Sequence, residues 1–338
     1  MRTSLLRGNG LKKNIIFDCS SPANRDHCFE PYALLKEAFL RAGIQIDTAD
    51  YASDRKVDFE LHQDIQPISS SDVNYLMLFE TEFIKPDNGN KQLFSKYAKI
   101  FTWDDSLVDG ERFIKINFPN HISGGCIDGF ADRSCFCCLI SGNRTIDSRD
   151  ERILYPERVS AIRWFEKHAP ADFSLYGVGW DMPVAHRGVL GKFERRFWRV
   201  ANRLTTLKPF PSYMGTVVEK SSVLKKTRFA ICYENVRDYE GYITEKIFDC
   251  FFSGCVPVYW GAANISSYVP SECFIDRRDF SDLSQVYRFL KSMTEDEFVN
   301  YQKNIVNFLA GDRVYQFGSE FFAETIVDTI VQDIEAKP

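Results

Sequence analysis

The chain has 338 residues, of which 44% are hydrophobic and 14% aromatic, so it can bury one large core or two ordinary ones. This composition excludes a disordered chain, a collagen and a small disulfide-stabilised scaffold. The formal net charge of −5 gives no general attraction to polyanions, and we therefore expect no nucleic acid partner.

The amino-terminal part of the chain alternates short apolar runs with a helical pattern. We predict strands over 14–18, 73–79 and 99–103. A helix is predicted over 31–41, because a proline stands at its start and Gly43 follows its end. Strand, helix and strand in succession indicate a parallel sheet that is covered by helices.

A second series of the same kind follows. Its predicted strands cover 134–140, 173–176, 228–233 and 256–260. Its predicted helices cover 156–168, 216–226, 245–253 and most of the chain after 281. Two series of this length predict an α/β fold with two Rossmann-like domains and a cleft between them. We place the domains at 1–131 and 132–338.

The segment 187–208 interrupts this alternation, because it carries seven lysine or arginine residues against the single acid Glu194. Its aromatic residues Phe193, Phe197 and Trp198 lie about one helical turn apart. Two interpretations remain open. The segment is either a solvated helix that packs its aromatic side on the domain, or a basic amphipathic helix on an anionic membrane surface.

Cysteine usage and hydropathy give the expected compartment. The only dense cysteine group is Cys135, Cys137 and Cys138, without the spacing of zinc sites, so we predict buried free thiols. The first residues lack the apolar segment of a signal peptide, and the uncharged stretch 250–271 is broken by glycine and proline. We expect a cytoplasmic protein, with peripheral contact to the inner face of the cytoplasmic membrane if 187–208 binds lipid.

The most informative stretch covers 229–275. A buried strand is followed by a polar loop and then by a helix, so the loop lies at the carboxyl end of a parallel strand, where open α/β sheets bind ligands. Lys246 falls in the first helical turn, where a cation is unfavourable unless an anion is bound there. Alternatively, Lys246 pairs with Glu245 or Asp249 in solvent. Tyr242 and Glu245 either bind sugar hydroxyls or anchor the loop.

Three motifs in this stretch resemble a known family. Tyr-x-Thr-Glu-Lys-Ile is followed by Gly-Cys-Val-Pro-Val-Tyr-Trp-Gly and then by Pro-x-x-Cys-Phe-Ile. Together they resemble the signature of the family-10 glycosyltransferases, the α-1,3/1,4-fucosyltransferases, of the bacterial type. Upstream, CLISGN before the helix with Arg158 is similar to the first unit of that family's donor domain, and FETEFIKP is similar to its acceptor-domain loop.

The resemblance implies a GT-B fold that binds the acceptor in the amino-terminal domain and GDP-fucose in the carboxyl-terminal domain. It implies an inverting transfer, in which a carboxylate deprotonates the acceptor hydroxyl while cations stabilise the departing GDP. Glu82 matches the base, and Glu80, two residues earlier, is the alternative. The residues that match the donor site are Arg158 and Lys246 at the diphosphate, Asn235 and Tyr242 in the loop, and Glu245 as a hydroxyl-binding carboxylate.

Two expectations and two competing hypotheses complete this interpretation. The acceptor is a glycan, with α-1,3 transfer to a GlcNAc-type residue of a lipopolysaccharide or another cell-surface glycan. No metal is required, because two cations are available for the diphosphate and the Asp104-Asp105 pair lies in the acceptor half. The competing hypotheses are a GT-B enzyme that uses another nucleotide sugar, such as GDP-mannose, and a non-catalytic glycan-binding protein.

Overall fold

A computed structural model of the protein describes residues 1–51, 56–67, 71–184, 196–198 and 208–336. The chain divides into two compact units. The first comprises Met1–Ile122, Glu240–Glu245 and Asp312–Pro338, and the second comprises Ser123–Tyr239 and Lys246–Gly311. The predicted basic helix over 187–208 lies outside the described residues, apart from 196–198 and 208.

The first unit contains a six-stranded parallel sheet in the order β2-β1-β3-β4-β5-β6. Its strands are β1 (Arg2–Arg7), β2 (Ile44–Thr48), β3 (Phe59–Gln63), β4 (Asn74–Leu78), β5 (Lys99–Thr102) and β6 (Phe113–Lys115). The central strand β4 is buried along its whole length, as a strand covered on both faces must be.

The second unit contains another six-stranded parallel sheet, in the order β12-β11-β10-β7-β8-β9. Its strands are β7 (Cys135–Ile140), β8 (Phe173–Tyr176), β9 (Tyr213–Gly215), β10 (Thr227–Tyr233), β11 (Val256–Trp260) and β12 (Ile275–Asp276). The two sheets confirm the predicted α/β class with two Rossmann-like units.

The α-helices of the described residues follow the strands in α/β alternation. They are α1 (Glu30–Arg41), α2 (Tyr155–His168), α3 (Ser221–Leu224), α4 (Glu245–Phe252), α5 (Ile265–Tyr268), α6 (Leu283–Ser292), α7 (Glu295–Leu309) and α8 (Ser319–Glu335). None of these described helices is long and apolar enough to cross a bilayer.

Helix α8 changes the domain assignment made from the sequence. The predicted boundary assigns all carboxyl-terminal helices to the second domain, whereas α8 belongs to the first unit. Its buried residues Phe322 and Ile326 share one hydrophobic core with Leu35 and Phe39 of α1. An amphipathic helix requires an apolar surface to cover, and here the first sheet and α1 supply it.

Two predicted elements are wrong. Residues 14–18 do not form a strand, because Ile15–Phe17 is a short 3-10 helix and Asn14 is left-handed (φ 54°), held by a hydrogen bond from the Thr48 amide at 2.7 Å. The first strand of the chain is β1 instead, at Arg2–Arg7. The helix predicted over 216–226 forms only as α3, and the preceding Thr216, Val217 and Val218 are β-branched residues with low helix propensity.

The cysteines agree with the prediction of free thiols. Cys137 and Cys138 are buried in β7, Cys135 is partly buried, and none of the three forms a disulfide. Burial raises the pKa of Cys137 and Cys138, which keeps both thiols protonated and unreactive.

Candidate active site

Arg158, one of the two predicted cations, contacts the backbone at the carboxyl end of β10. Arg158 projects from α2 and is 4% exposed. Its Nη2 donates to the carbonyl oxygen of Tyr233 at 2.7 Å and to Oδ1 of Asn235 at 3.0 Å. Nε donates to the same carbonyl at 3.2 Å. Two of the residues predicted for the donor site, Arg158 and Asn235, are therefore in direct contact.

Lys246, the second predicted cation, contacts Glu234, which lies between Tyr233 and Asn235 in the chain. Lys246 in the first turn of α4 forms an ion pair with Glu234, with 3.1 Å between Nζ and Oε2. The Glu234 side chain is fully buried and that of Lys246 is 22% exposed. Asp249, which the sequence offered as a partner for Lys246, pairs instead with Lys220 at 2.7 Å. The second alternative partner, Glu245, is exposed.

Arg158 and Lys246 thus contact three consecutive residues, Tyr233, Glu234 and Asn235. The segment that continues from Asn235 is fixed by the chain ahead of α2, because the Leu154 amide donates to the Asn235 carbonyl at 3.0 Å. The cations come from parts of the sequence far apart, and the parallel strand order of the second sheet brings them together.

Tyr242 and Glu245, the other two predicted donor residues, belong to the segment Glu240–Glu245 of the first unit. The Tyr242 ring is 1% exposed and contacts Trp103 and Phe118, with ring centroids 4.8 Å and 5.6 Å away. This burial favours the loop-anchoring interpretation for Tyr242. Glu245 is exposed at the start of α4, where a carboxylate can accept hydrogen bonds from hydroxyls.

Gly241 brings this segment into close contact with its neighbours in the first unit. Its φ of +82° is left-handed, and a Cβ there would overlap the Trp103 carbonyl oxygen and lie 2.7 Å from Lys115 Nζ. Lys115 donates to that carbonyl and to Asp105, both at 2.6 Å. Burial lowers the pKa of Lys115, and the hydrogen bond to Asp105 opposes this shift. Only glycine fits at this position.

The candidate bases Glu80 and Glu82 lie beyond the end of β4, in a loop of the first unit. Strand alternation therefore does not set the directions of their side chains. Both residues are partly buried. A Cβ at Gly89 would lie 2.7 Å from Cβ of Glu82, so the absence of a side chain at position 89 provides the space that Glu82 occupies.

Two buried polar residues that the sequence analysis did not single out hold this loop. Asp64 Oδ1 accepts from the backbone amides of Phe79 and Glu80 at 2.9 and 3.0 Å and from Asn88 Nδ2 at 2.7 Å. Asn88 Nδ2 also donates to the Glu80 carbonyl at 2.7 Å. A local sequence signal is absent because Asp64 and Asn88 are 24 residues apart.

The adjacent carboxylates Asp104 and Asp105 have partners within the protein. Asp105 is paired with Lys115, and Asp104 Oδ1 accepts from the Ser106 hydroxyl at 2.7 Å. Within the described ranges, no group of three or more histidine, cysteine or acidic residues is arranged to hold a metal ion. Metal independence stays a prediction, which chelation tests.

Solved structures of known proteins share this fold. An α1,3-fucosyltransferase with GDP aligns over 98% of this chain and 90% of its own, with a TM-score of 0.57 and 13% identity. An α-glucosyltransferase in complex with UDP-glucose and DNA containing an abasic site aligns over 98% and 99%, with a TM-score of 0.54 and 10% identity. This likeness shows that the chain has a GT-B fold.

The sequence comparisons match one part of the chain to a known family. Residues 212–305 match the family model "Glycosyltransferase family 10 (fucosyltransferase) C-term". "Alpha-(1,3)-fucosyltransferase FucT" of Helicobacter pylori is 33% identical over 75 residues, which are 22% of this chain and 16% of that protein. "Alpha-(1,4)-fucosyltransferase" of Arabidopsis thaliana is 35% identical over 69 residues, 20% of this chain and 17% of that protein. The likeness to glycosyltransferase family 10 is thus found over residues 212–305.

The match is limited in extent. The aligned part of the chain spans only 16% and 17% of the length of these two curated relatives. The family-model region 212–305 includes Asn235, Tyr242, Glu245 and Lys246, whereas Arg158 and Glu82 lie outside it.

Proposed function

We propose that the protein transfers L-fucose from GDP-fucose to a hydroxyl of a glycan, α-1,3 to a GlcNAc-type residue, with inversion at the anomeric carbon. The observation that carries this proposal is the convergence of Arg158 and Lys246 on Tyr233–Asn235 at the carboxyl end of β10. Parallel α/β sheets bind nucleotides at that edge. The family of residues 212–305 and the names of its curated relatives support fucose as the transferred sugar.

The hydrogen bonds of Arg158 suit a role at the diphosphate. Its two acceptors in this segment, the Tyr233 carbonyl and the Asn235 amide oxygen, are neutral. These bonds orient the guanidinium at the carboxyl end of β10. An arginine oriented in this way can bind two phosphate oxygens through its planar fork and stabilise the negative charge that builds up on GDP as the glycosidic bond breaks.

Lys246 supplies the second charge. At rest it is held by the buried carboxylate of Glu234, so its ammonium has a fixed position before a donor arrives. It also lies in the first turn of α4, whose backbone N–H groups and positive dipole end favour the same anion. Two cations and a helix terminus supply the stabilisation that a metal ion gives in other enzymes. We therefore propose metal-independent transfer.

Glu82 is the proposed general base. In a single displacement its carboxylate takes the proton of the acceptor hydroxyl while that oxygen bonds to C1 of fucose and the bond from C1 to the GDP oxygen breaks. The network of Asp64 and Asn88 holds the loop that carries Glu82, as positioning of a base requires.

The test is an assay of GDP release with GDP-fucose, GDP-mannose and UDP-glucose and a small panel of glycan acceptors. We expect turnover with GDP-fucose and an N-acetyllactosamine acceptor. Arg158→Ala should lower it by roughly two to three orders of magnitude. Arg163→Ala is the matched control, since Arg163 lies on the same helix, is 48% exposed and pairs with Glu166 rather than with the end of β10. Preference for GDP-mannose would establish the alternative donor, and glycan binding without any turnover would establish the non-catalytic alternative.

Membrane contact through 187–208 is proposed from the sequence alone. Its seven basic residues against one acid support binding to anionic lipid near a lipid-linked acceptor. In co-sedimentation with vesicles, binding should require anionic lipid and decrease as salt is raised. No binding to phosphatidylserine-containing vesicles at low salt would refute the proposal.

A further inference from the structure

Part of the signature motif and the candidate bases belong to the same compact unit. The motif Tyr-x-Thr-Glu-Lys-Ile begins at Tyr242, and its first four residues lie in Glu240–Glu245 of the first unit, which we call the signature segment. The loop that carries Glu80 and Glu82, the base loop, belongs to this unit as well. Transfer requires the base and the donor to be held in one geometry. The side chains that connect Tyr242 to the base loop therefore bear on the chemistry.

Four aromatic residues of the first unit connect these two segments in a closed cluster of contacts. The Tyr242 ring centroid lies 4.8 Å from that of Trp103 and 5.6 Å from that of Phe118. The Phe118 centroid lies 5.5 Å from that of Phe79. Trp103 closes the cluster, because its Nε1 donates to the carbonyl oxygen of Phe79 at 2.8 Å. The three ring pairs meet edge to face, which is a favourable geometry for aromatic side chains.

Phe79 directly follows β4, and the base loop begins there. The carbonyl oxygen of Phe79 and the amide of Glu80 belong to one peptide group, and buried side chains bind both. Trp103 donates to the carbonyl, and Asp64 Oδ1 accepts from the amide at 3.0 Å. Asp64 also accepts from the amide of Phe79 at 2.9 Å. The first peptide group of the base loop is therefore fixed on one side by Asp64 and on the other by Trp103.

Trp103 contacts the signature segment through its backbone as well as through its ring. The chain approaches the Trp103 carbonyl oxygen so closely at Gly241 that a Cβ there would overlap this oxygen. The same oxygen accepts from Lys115 Nζ at 2.6 Å. Movement of Trp103 would therefore disturb a hydrogen bond to the base loop and a close contact to the signature segment at the same time. Trp103 is thus bound to both segments by directional contacts, in addition to filling the core.

We propose that Trp103 is a positioning residue, which holds the general base in place relative to the signature segment. This role rests on the proposed function. In the transfer step the acceptor oxygen, deprotonated by the base, has to meet C1 of fucose, and a displacement of about 1 Å costs about a hundredfold in rate. Trp103 acts through the first peptide group of the base loop and takes no part in the proton transfer itself. Phe118 supports it, because its ring contacts both Phe79 and Tyr242.

The test is a double-mutant cycle on turnover, measured as GDP release from GDP-fucose at saturating acceptor. Trp103→Phe keeps an aromatic ring and removes the hydrogen bond to the base loop, so it should lower kcat about tenfold and leave the KM for GDP-fucose unchanged. In a Glu82→Gln background the same change should cause no further loss, because no base remains to be positioned. If Glu80 is the base, this non-additivity appears in the Glu80→Gln background instead. Tyr75→Phe is the control, because it removes another side-chain hydrogen bond of the first unit, to Asp333, and should lower the midpoint of urea denaturation but not kcat.

A second variant makes the test independent of whether Trp103→Phe folds. Phe118→Leu removes one of the aromatic contacts of Tyr242 and should lower kcat roughly threefold to tenfold, with the same dependence on the base. Phe94→Leu is its control, because Phe94 forms a similar edge-to-face pair with Phe113, at 5.8 Å, in another core cluster of the first unit. This control should leave kcat unchanged.

Two results would overturn the role of Trp103 while the proposed function stands. The first is a wild-type kcat in folded Trp103→Phe, or in Phe118→Leu if Trp103→Phe does not fold. The second is an equal fold loss in the presence of either candidate base and in both the Glu82→Gln and the Glu80→Gln backgrounds, since Trp103 would then act on something other than the base. A wild-type protein that transfers no fucose from GDP-fucose to any acceptor overturns the proposed function and the role of Trp103 together.

Discussion

Replacing Lys246 by methionine separates the structural from the catalytic contribution of this cation. Methionine has a similar length and no charge, so the change removes the ion pair to Glu234 and retains most of the apolar contact of the side chain. The two contributions respond differently to a second change at Glu234, and this difference makes the prediction informative.

The expected loss of stability follows from the burial of the pair. Removing one partner of a buried ion pair costs about 3–5 kcal/mol, because the remaining charge stays in a poorly solvated place. The Glu234 side chain is fully buried, but that of Lys246 is 22% exposed, so water can partly replace the ammonium. We therefore expect Lys246→Met to lower the free energy of unfolding by about 2–3 kcal/mol. The double variant with Glu234→Gln removes the stranded charge and should recover most of that loss.

Turnover should not recover with stability. If Lys246 stabilises the departing diphosphate, both the single and the double variant should release GDP roughly two to three orders of magnitude more slowly than wild type. The measurements are urea denaturation followed by tryptophan fluorescence, and GDP release with GDP-fucose at saturating acceptor. Lys220→Met is the matched control, because its pair with Asp249 of the same helix has side chains 29% and 18% exposed. It should cost at most about 1 kcal/mol and leave turnover unchanged.

The result that would refute this reasoning is recovery of turnover in the double variant. Lys246 would then act only by compensating Glu234, and its assignment to the diphosphate would be wrong. Unchanged stability in the single variant would instead show that the buried carboxylate does not depend on this cation.

Three further predictions concern other parts of the molecule. Glu82→Gln should lower turnover by roughly two to four orders of magnitude with unchanged GDP affinity in calorimetry, and finding this behaviour for Glu80→Gln instead would move the base by two positions. Gly241→Ala should lower both the midpoint of urea denaturation and turnover. Gly110→Ala is its control, because Gly110 has a similar φ of +75° but open space around it; it should cost only about 1–2 kcal/mol of backbone strain and leave turnover unchanged. Equal effects of the two variants would contradict the close contact at position 241. Thr294→Ala removes the capping box of α7 and should cost about 1 kcal/mol by denaturation, while Thr294→Ser should retain most of that stability; a larger loss for serine than for alanine would rule out the cap as the cause.

The sequence predicted the repeating architecture better than the identity of individual strands. Buried strands such as β4, β10 and β11 have continuous apolar runs, which parallel sheets require, and they were predicted within a few residues. The run at 14–18 is equally apolar but forms no strand, whereas Arg2–Arg7 pairs with two strands and lies inside the first sheet. Hydrophobicity alone does not determine which run finds hydrogen-bonding neighbours.

In the candidate site, too, features that depend on neighbouring residues could be predicted, whereas contacts between residues far apart in the chain could not. The unusual place of Lys246 at a helix start was visible in the sequence, because it depends on neighbouring residues only. Its partner was not, because Glu234 is 12 residues away and meets Lys246 only through the turn from β10 to α4. The support of the Glu82 loop by Asp64 likewise depends on strand order, which no local pattern encodes.

The discontinuity of the first unit has a consequence for biosynthesis. Residues of α8 complete the core around α1, and the hydroxyl of Tyr75 donates to Asp333 of this helix at 2.7 Å. A ribosome makes Ser319–Glu335 only after the entire second unit has been translated. The nascent amino-terminal half therefore keeps part of its apolar surface uncovered during most of translation, whereas the second unit can fold before synthesis is finished.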